Sequence, residues 1–187
     1  MNHPTVLLDH SDFLVLNKPA GWYTIPAREP KTSDAVLTEW IQTTLGVQPW
    51  VVHRLDRFTS GVILFAKSKE AHQQANAWFE KRVVKKTYHF LAAPLAGSPI
   101  LSKPALQMKT PIDGKPSQTL FEVIKRAEKF FYGKATPLTG RFHQVREHAQ
   151  EGGFPLLGDA SYGYHAKEVG IDFPRVALHA YELALPF

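Results

Sequence analysis

The sequence predicts an α+β fold built on a largely antiparallel sheet. Three observations carry that expectation. Apolar runs of strand length dominate the chain. Only three segments have helical spacing, and they interrupt the strands irregularly rather than alternating with them. A turn signal at Asp113-Gly114 and several Gly- and Pro-rich stretches separate the runs.

Taken in order, Phe13 to Lys18 reads as a strand closed by Pro19 and Gly21. Residues 22–31 form a loop with Pro26 and Pro30. Thr32, Ser33 or Asp34 caps a first helix carrying Ala35, Val36, Trp40 and Ile41, which Gly46 ends. Val62 to Ala66 is a buried strand. Ser68 caps a second helix through Lys81, with Ala71, Ala75, Trp78 and Phe79 on one face. Thr87 to Ala92 suits an inner strand, and residues 94–104 a connector. Thr119 to Ile124 and Phe131 to Pro137 read as paired strands. A third helix runs from about Phe142 to Gln150 and stops at Gly152-Gly153, and Arg175 to Leu185 closes as a strand.

The 187 residues suit one domain, or a domain of two lobes, over 1–187. No separate N-terminal domain is expected before Val6. The chain has no cysteine, so disulfides and thiolate metal sites are excluded. No apolar run approaches the roughly 20 residues of a membrane span, and the N-terminus lacks signal-peptide features. A cytoplasmic, cofactor-free monomer is the simplest expectation. The net charge of +5 is unevenly spread. Residues 103–146 carry 9 basic and 3 acidic side chains, whereas residues 147–187 carry 2 and 6. A basic middle section points to a polyanionic partner; a solubilising lysine-rich surface is the plainer alternative.

Chemistry concentrates in two segments. His53-Arg54-Leu55-Asp56-Arg57-Phe58-Thr59-Ser60-Gly61 sets a carboxylate between two guanidinium groups just ahead of an apolar strand. Fixed cations bias such a carboxylate toward its ionised form, in which it can act as nucleophile or base. A loop salt bridge is the competing explanation. The second segment is Leu138-Thr139-Gly140-Arg141-Phe142-His143-Gln144-Val145-Arg146-Glu147-His148, followed by Phe154-Pro155-Leu156-Leu157-Gly158-Asp159-Ala160-Ser161-Tyr162-Gly163. Together with Leu16-Asn17-Lys18-Pro19-Ala20-Gly21, Lys86-Thr87-Tyr88 and Ala177-Leu178-His179-Ala180, these segments make the chain resemble the RluA-type pseudouridine synthases over nearly its whole length.

The resemblance implies a pseudouridine synthase fold: a bent mixed sheet with flanking helices and a central catalytic cleft. It implies isomerisation of specific uridines in structured tRNA or rRNA, without metal or organic cofactor. Asp56 becomes the catalytic aspartate, and attack on sugar, attack on base and a glycal route stay open. Arg146, on a helix face shared with His143 and Gln150, is expected to reach the site and to pair with Asp56. Tyr88 is expected to stack on the target base. Arg54 is assigned to the gap left by a flipped base. Arg57, Lys85, Lys86 and Arg141 are expected at phosphates, with His143 also at the RNA. His53 and His179 are expected as structural donors, and Asp159 as a structural carboxylate in a buried turn.

A metal site is rejected because His143 and His148 are five residues apart, one more than a helical metal pair needs. Ser60 lacks a Ser-His-Asp context. The pattern departs from the family at Phe58, Phe142 and Glu147, which bears on substrate contacts rather than on the chemistry. Two other classes compete: a non-catalytic RNA-binding or RNA-folding protein on the same scaffold, and a metal-dependent hydrolase or nuclease.

Overall fold

A computed structural model describes residues 2–164 and 169–186. The class is α+β, as expected. Among the described residues there are nine strands, largely antiparallel, and three α-helices: β1 (Thr5–Asp9), β2 (Phe13–Lys18), α1 (Leu37–Trp40), β3 (Trp50–Val51), β4 (Ser60–Ala66), α2 (Lys69–Glu80), β5 (Lys85–Ala92), β6 (Ala105–Met108), β7 (Thr119–Arg126), β8 (Phe131–Pro137), α3 (Gln144–Glu151) and β9 (Leu178–Ala184). Tyr23 and Val36 add a parallel bridge. None of the described helices is long and apolar enough to cross a membrane.

The chain divides into two compact units. The first holds residues up to Val84 together with those from Glu182 onward; the second is Lys85–Tyr181. In the first unit β2 pairs with both β1 and β4, and β3 also pairs with β4. Phe13, Leu64, Ala66, Ala71 and Ala75 form its packed cluster, with Trp78, Phe79, Leu183 and Leu185 against it. The α2 helix starts where Ser68 Oγ accepts the Ala71 amide at 3.1 Å, satisfying one of the first-turn donors that a helix leaves open.

The first helix departs from expectation at its start. Its N-cap is Val36, extended and without a side-chain cap, and the α-helix passes into a π-helical turn over Ile41–Leu45. Val36 is drawn into the bridge with Tyr23. The Asp34 carboxylate instead accepts the Lys31 amide at 3.0 Å, a local turn that competes with capping.

In the second unit β5 pairs with β8, β8 with β7, and β7 with β6, all antiparallel. Phe90, Phe121, Phe131 and Phe154 pack near the centre of its core, largely edge-to-face, with Val145 and Ala149 of α3. Asp113 and Gly114 turn the chain with φ of 50° and 68°. Ile112 and Lys115 exchange both backbone hydrogen bonds across them, at 3.0 and 2.9 Å. Two consecutive left-handed residues are what a tight hairpin turn of this hand requires.

Candidate functional site

The expected site residues fall on both units. Asp56, half-buried, lies in the first unit, between exposed Arg54 and Arg57. Its loop is clamped on both sides by the Lys18–Thr24 turn. Upstream, Thr24 Oγ1 donates to the Leu55 carbonyl at 3.0 Å and accepts the Leu55 amide at 3.2 Å. Downstream, the Arg57 carbonyl accepts from Lys18 Nζ at 3.1 Å and from the Gly21 amide at 2.9 Å. The Arg57 guanidinium donates back to the Gly21 carbonyl and the Tyr23 hydroxyl at 3.2 and 3.0 Å, lies 4.6 Å from the Tyr23 ring centre, and faces Asp34 at 3.8 Å. The Thr59 amide closes the turn on the Asp56 carbonyl at 3.1 Å.

Lys18 is the unexpected member of this assembly. It is fully buried, and its ammonium donates to the carbonyls of Pro19, Trp22 and Arg57 at 3.1, 2.8 and 3.1 Å. Lysine is rarely enclosed unless its donors are satisfied, and here three carbonyls satisfy them. His53 Nε2 accepts the Leu64 amide at 3.1 Å, and the ring stacks on Phe79.

The second unit holds Tyr88, Lys85, Lys86, Arg141, His143 and Arg146. Arg146 is buried, and Nε and Nη2 form a bidentate pair with the carboxylate of Asp159 at 2.7 and 2.8 Å. Two parallel charge-assisted bonds fix the guanidinium plane as well as its position. Asp159, the carboxylate of that turn, is thus paired with Arg146. Its placement depends on Gly158, whose φ is +73° and where a Cβ would lie 2.0 Å from the Arg175 carbonyl oxygen; only glycine fits there.

His143 corrects one expectation. It lies outside α3, as the N-cap, with φ of +52°. That conformation is uncommon for a residue with a Cβ. It still meets Arg146, with Nη1 donating to Nε2 at 2.9 Å, while Nδ1 lies 3.1 Å from the Tyr162 hydroxyl. A guanidinium can only donate, so Nε2 accepts and the imidazole proton sits on Nδ1. The Arg146 guanidinium also lies 4.9 Å from the Tyr162 ring centre.

Ahead of α3, Gln144 holds the loop. Its Oε1 accepts from Thr139 Oγ1 and the Arg141 amide at 2.7 and 3.0 Å, and its Nε2 donates to the Gln118 carbonyl at 2.9 Å. Lys86 Nζ donates to the Thr139 carbonyl at 3.0 Å, and burial pushes its ammonium pKa below the usual lysine range. Arg141 reaches the Pro116 carbonyl through Nε and Nη2 at 3.3 and 3.2 Å. Lys85 is exposed. Tyr88 is half-buried on β5, packed against the phenylalanine core. The structure therefore joins Arg146, His143, Asp159 and Tyr162 in one cluster. It ties Lys86 to the loop before it, and Arg141 of that loop to the Pro116 carbonyl.

Residues 12–151 match the family model described as RNA pseudouridylate synthase. The dual-specificity RNA pseudouridine synthase RluA of Pasteurella multocida is 36% identical over 188 residues, spanning 94% of this chain and 83% of that protein. Its namesake from Vibrio parahaemolyticus is 34% identical over 198 residues, spanning 96% and 76%. Among solved structures, human RNA Pseudouridylate Synthase Domain Containing 1 superposes with a TM-score of 0.79 at 25% identity, covering 98% of this chain and 79% of that one.

Proposed function

The chain belongs to the RNA pseudouridylate synthase family, and we propose that it isomerises uridines of folded RNA through Asp56. The relatives' names specify dual-specificity RNA enzymes and, in one case, a ribosomal large subunit enzyme; the substrate proposed for this chain is tRNA or rRNA. One observation carries the assignment to Asp56. The backbone on either side of this carboxylate is held by hydrogen bonds from a second turn, so the group is presented by a fixed loop.

The reaction breaks the bond between C1′ and N1, rotates the freed uracil and joins C1′ to C5. The proton on C5 is lost, and N1 gains one. In this reading Asp56 serves as nucleophile or base at the sugar or the base. Arg146, its plane fixed by Asp159, supplies a cation at the reacting centre. Tyr88 stacks on the target base, and Arg54, exposed two residues before Asp56, fills the place the base vacates. Lys85, Lys86, Arg57 and Arg141 draw the phosphate backbone, so affinity falls steeply with salt. A cytoplasmic monomer working without a cofactor completes the reading.

The test is pseudouridine mapping, by carbodiimide-stop readout, of RNA from cells with and without the gene. A site lost in the deletion returns with the wild-type gene and stays absent with Asp56→Asn. The purified variant still binds RNA, with turnover reduced by at least about a thousandfold, some 4 kcal/mol of transition-state stabilisation. Full activity in Asp56→Asn would overturn the assignment of the aspartate.

A further inference from the structure

We propose that Phe142 is a stacking platform for an RNA base that flanks the target uridine, a reading that rests on the proposed RNA substrate. Phe142 is 66% exposed, so its ring contributes little to the core. It is nevertheless held in place. The ring stacks on the His143 imidazole, with centres 3.7 Å apart and planes 21° apart. His143 is itself fixed from two directions, by Arg146 at Nε2 and by the Tyr162 hydroxyl at Nδ1. The exposed ring therefore lies on an imidazole that is hydrogen-bonded to the buried Arg146–Asp159 pair. Contacts of this kind reduce the entropy lost when a partner binds.

The surroundings specify the partner. The loop leading to Phe142 carries Arg141, and Lys86 is bonded to its Thr139 carbonyl. Arg146 lies one helical turn beyond. A flat apolar ring next to Arg141, on a loop that Lys86 also reaches, suits a ligand that alternates flat π-faces with anionic links, as a polynucleotide does. Every base has such a face, so the platform adds affinity without choosing among bases. Tyr88 is assigned to the target base, which leaves a neighbouring nucleotide for Phe142.

The test uses the full chain and, as probe, bulk [5-³H]uridine-labelled RNA from cells lacking the gene. Filter binding gives affinity, and tritium release gives turnover. Phe142→Leu keeps the apolar bulk and removes the π-face; Phe142→Tyr keeps both. Phe142→Leu is expected to weaken RNA binding and raise KM by roughly 5- to 100-fold. Its kcat and thermal midpoint are expected to stay unchanged, and Phe142→Tyr to match wild type. Wild-type affinity in Phe142→Leu would overturn the proposal. So would equal weakening in Phe142→Tyr, or a loss confined to kcat. Phe142-dependent binding by a wild-type protein that releases no tritium would retain the platform and sink the isomerase reading instead.

Discussion

Each unit buries one cation beside its share of the expected site, and the two cations are satisfied in different ways. Lys18 spends its donors on three backbone carbonyls from two chain segments. Arg146 spends two of its donors on one carboxylate. The first arrangement sets the path of the main chain around Asp56. The second sets the plane of a side chain. An ammonium, compact and able to point its protons three ways, suits diverging carbonyls; a planar guanidinium suits the two oxygens of a carboxylate. Arg→Lys or Lys→Arg at these positions would therefore be no conservative change.

That contrast can be broken at several points. Arg146→Met leaves Asp159 enclosed without its guanidinium, and a buried half-pair costs about 3–5 kcal/mol. Replacing both, as Arg146→Met with Asp159→Leu, is expected to recover most of that stability in urea titrations while turnover stays lost. Recovery of both would mean that Arg146 is purely structural. Lys18→Met has no single partner to remove in compensation. It leaves carbonyls without their donor, at about 1–3 kcal/mol, and should slow turnover through the Asp56 loop. A fall in stability with unchanged kcat would separate the loop from the chemistry. Thr24→Val removes both hydrogen bonds to Leu55 and is expected to cost about 1–2 kcal/mol in a urea titration.

A smaller effect belongs to pH. Burial, then the charges of Arg175 and His89, hold the His179 pKa below its ordinary 6.5. The unfolded chain then takes up this proton first as pH falls through 6.5, so acidification costs stability until the folded-state pKa is passed. His179→Gln should flatten that part of the acid slope in urea midpoints measured on either side of pH 6.5, with no change well above it.

Much of the fold was legible because the signals were local. The strand over Phe13–Lys18, the Ser68 cap and the Asp113-Gly114 turn each depend on a few adjacent residues, and each is present. The strands that sequence reading missed are either exposed throughout or very short. All five residues of β1 are exposed, including Val6, Leu7 and Leu8, and β6 is four residues long. Misplaced details arose where another contact, local or longer-range, competed with the expected one. The Asp34 carboxylate closes its own turn, and His143 leaves the helix to stand between Arg146 and Tyr162.

The candidate site divides the same way. Motif order nominated Asp56, Tyr88 and Arg146. The supporting residues did not show themselves as such. A lysine is taken as solvated unless something says otherwise, and nothing near Lys18 in the chain reveals that the Arg57 carbonyl, 39 residues on, will receive it. Thr24 and Leu55, 31 residues apart, present the same difficulty.

The make-up of the first unit has a consequence for the chain as it leaves the ribosome. Leu183 and Leu185 complete a cluster whose other members all precede Val84, and the 97 residues of the second unit come between. At about 5–20 residues per second, those 97 residues take roughly 5–20 s to make. Throughout that interval the unit bearing Asp56 waits, its apolar cluster open on one side, for a closing segment not yet synthesised. The second unit, continuous in the chain, can fold first.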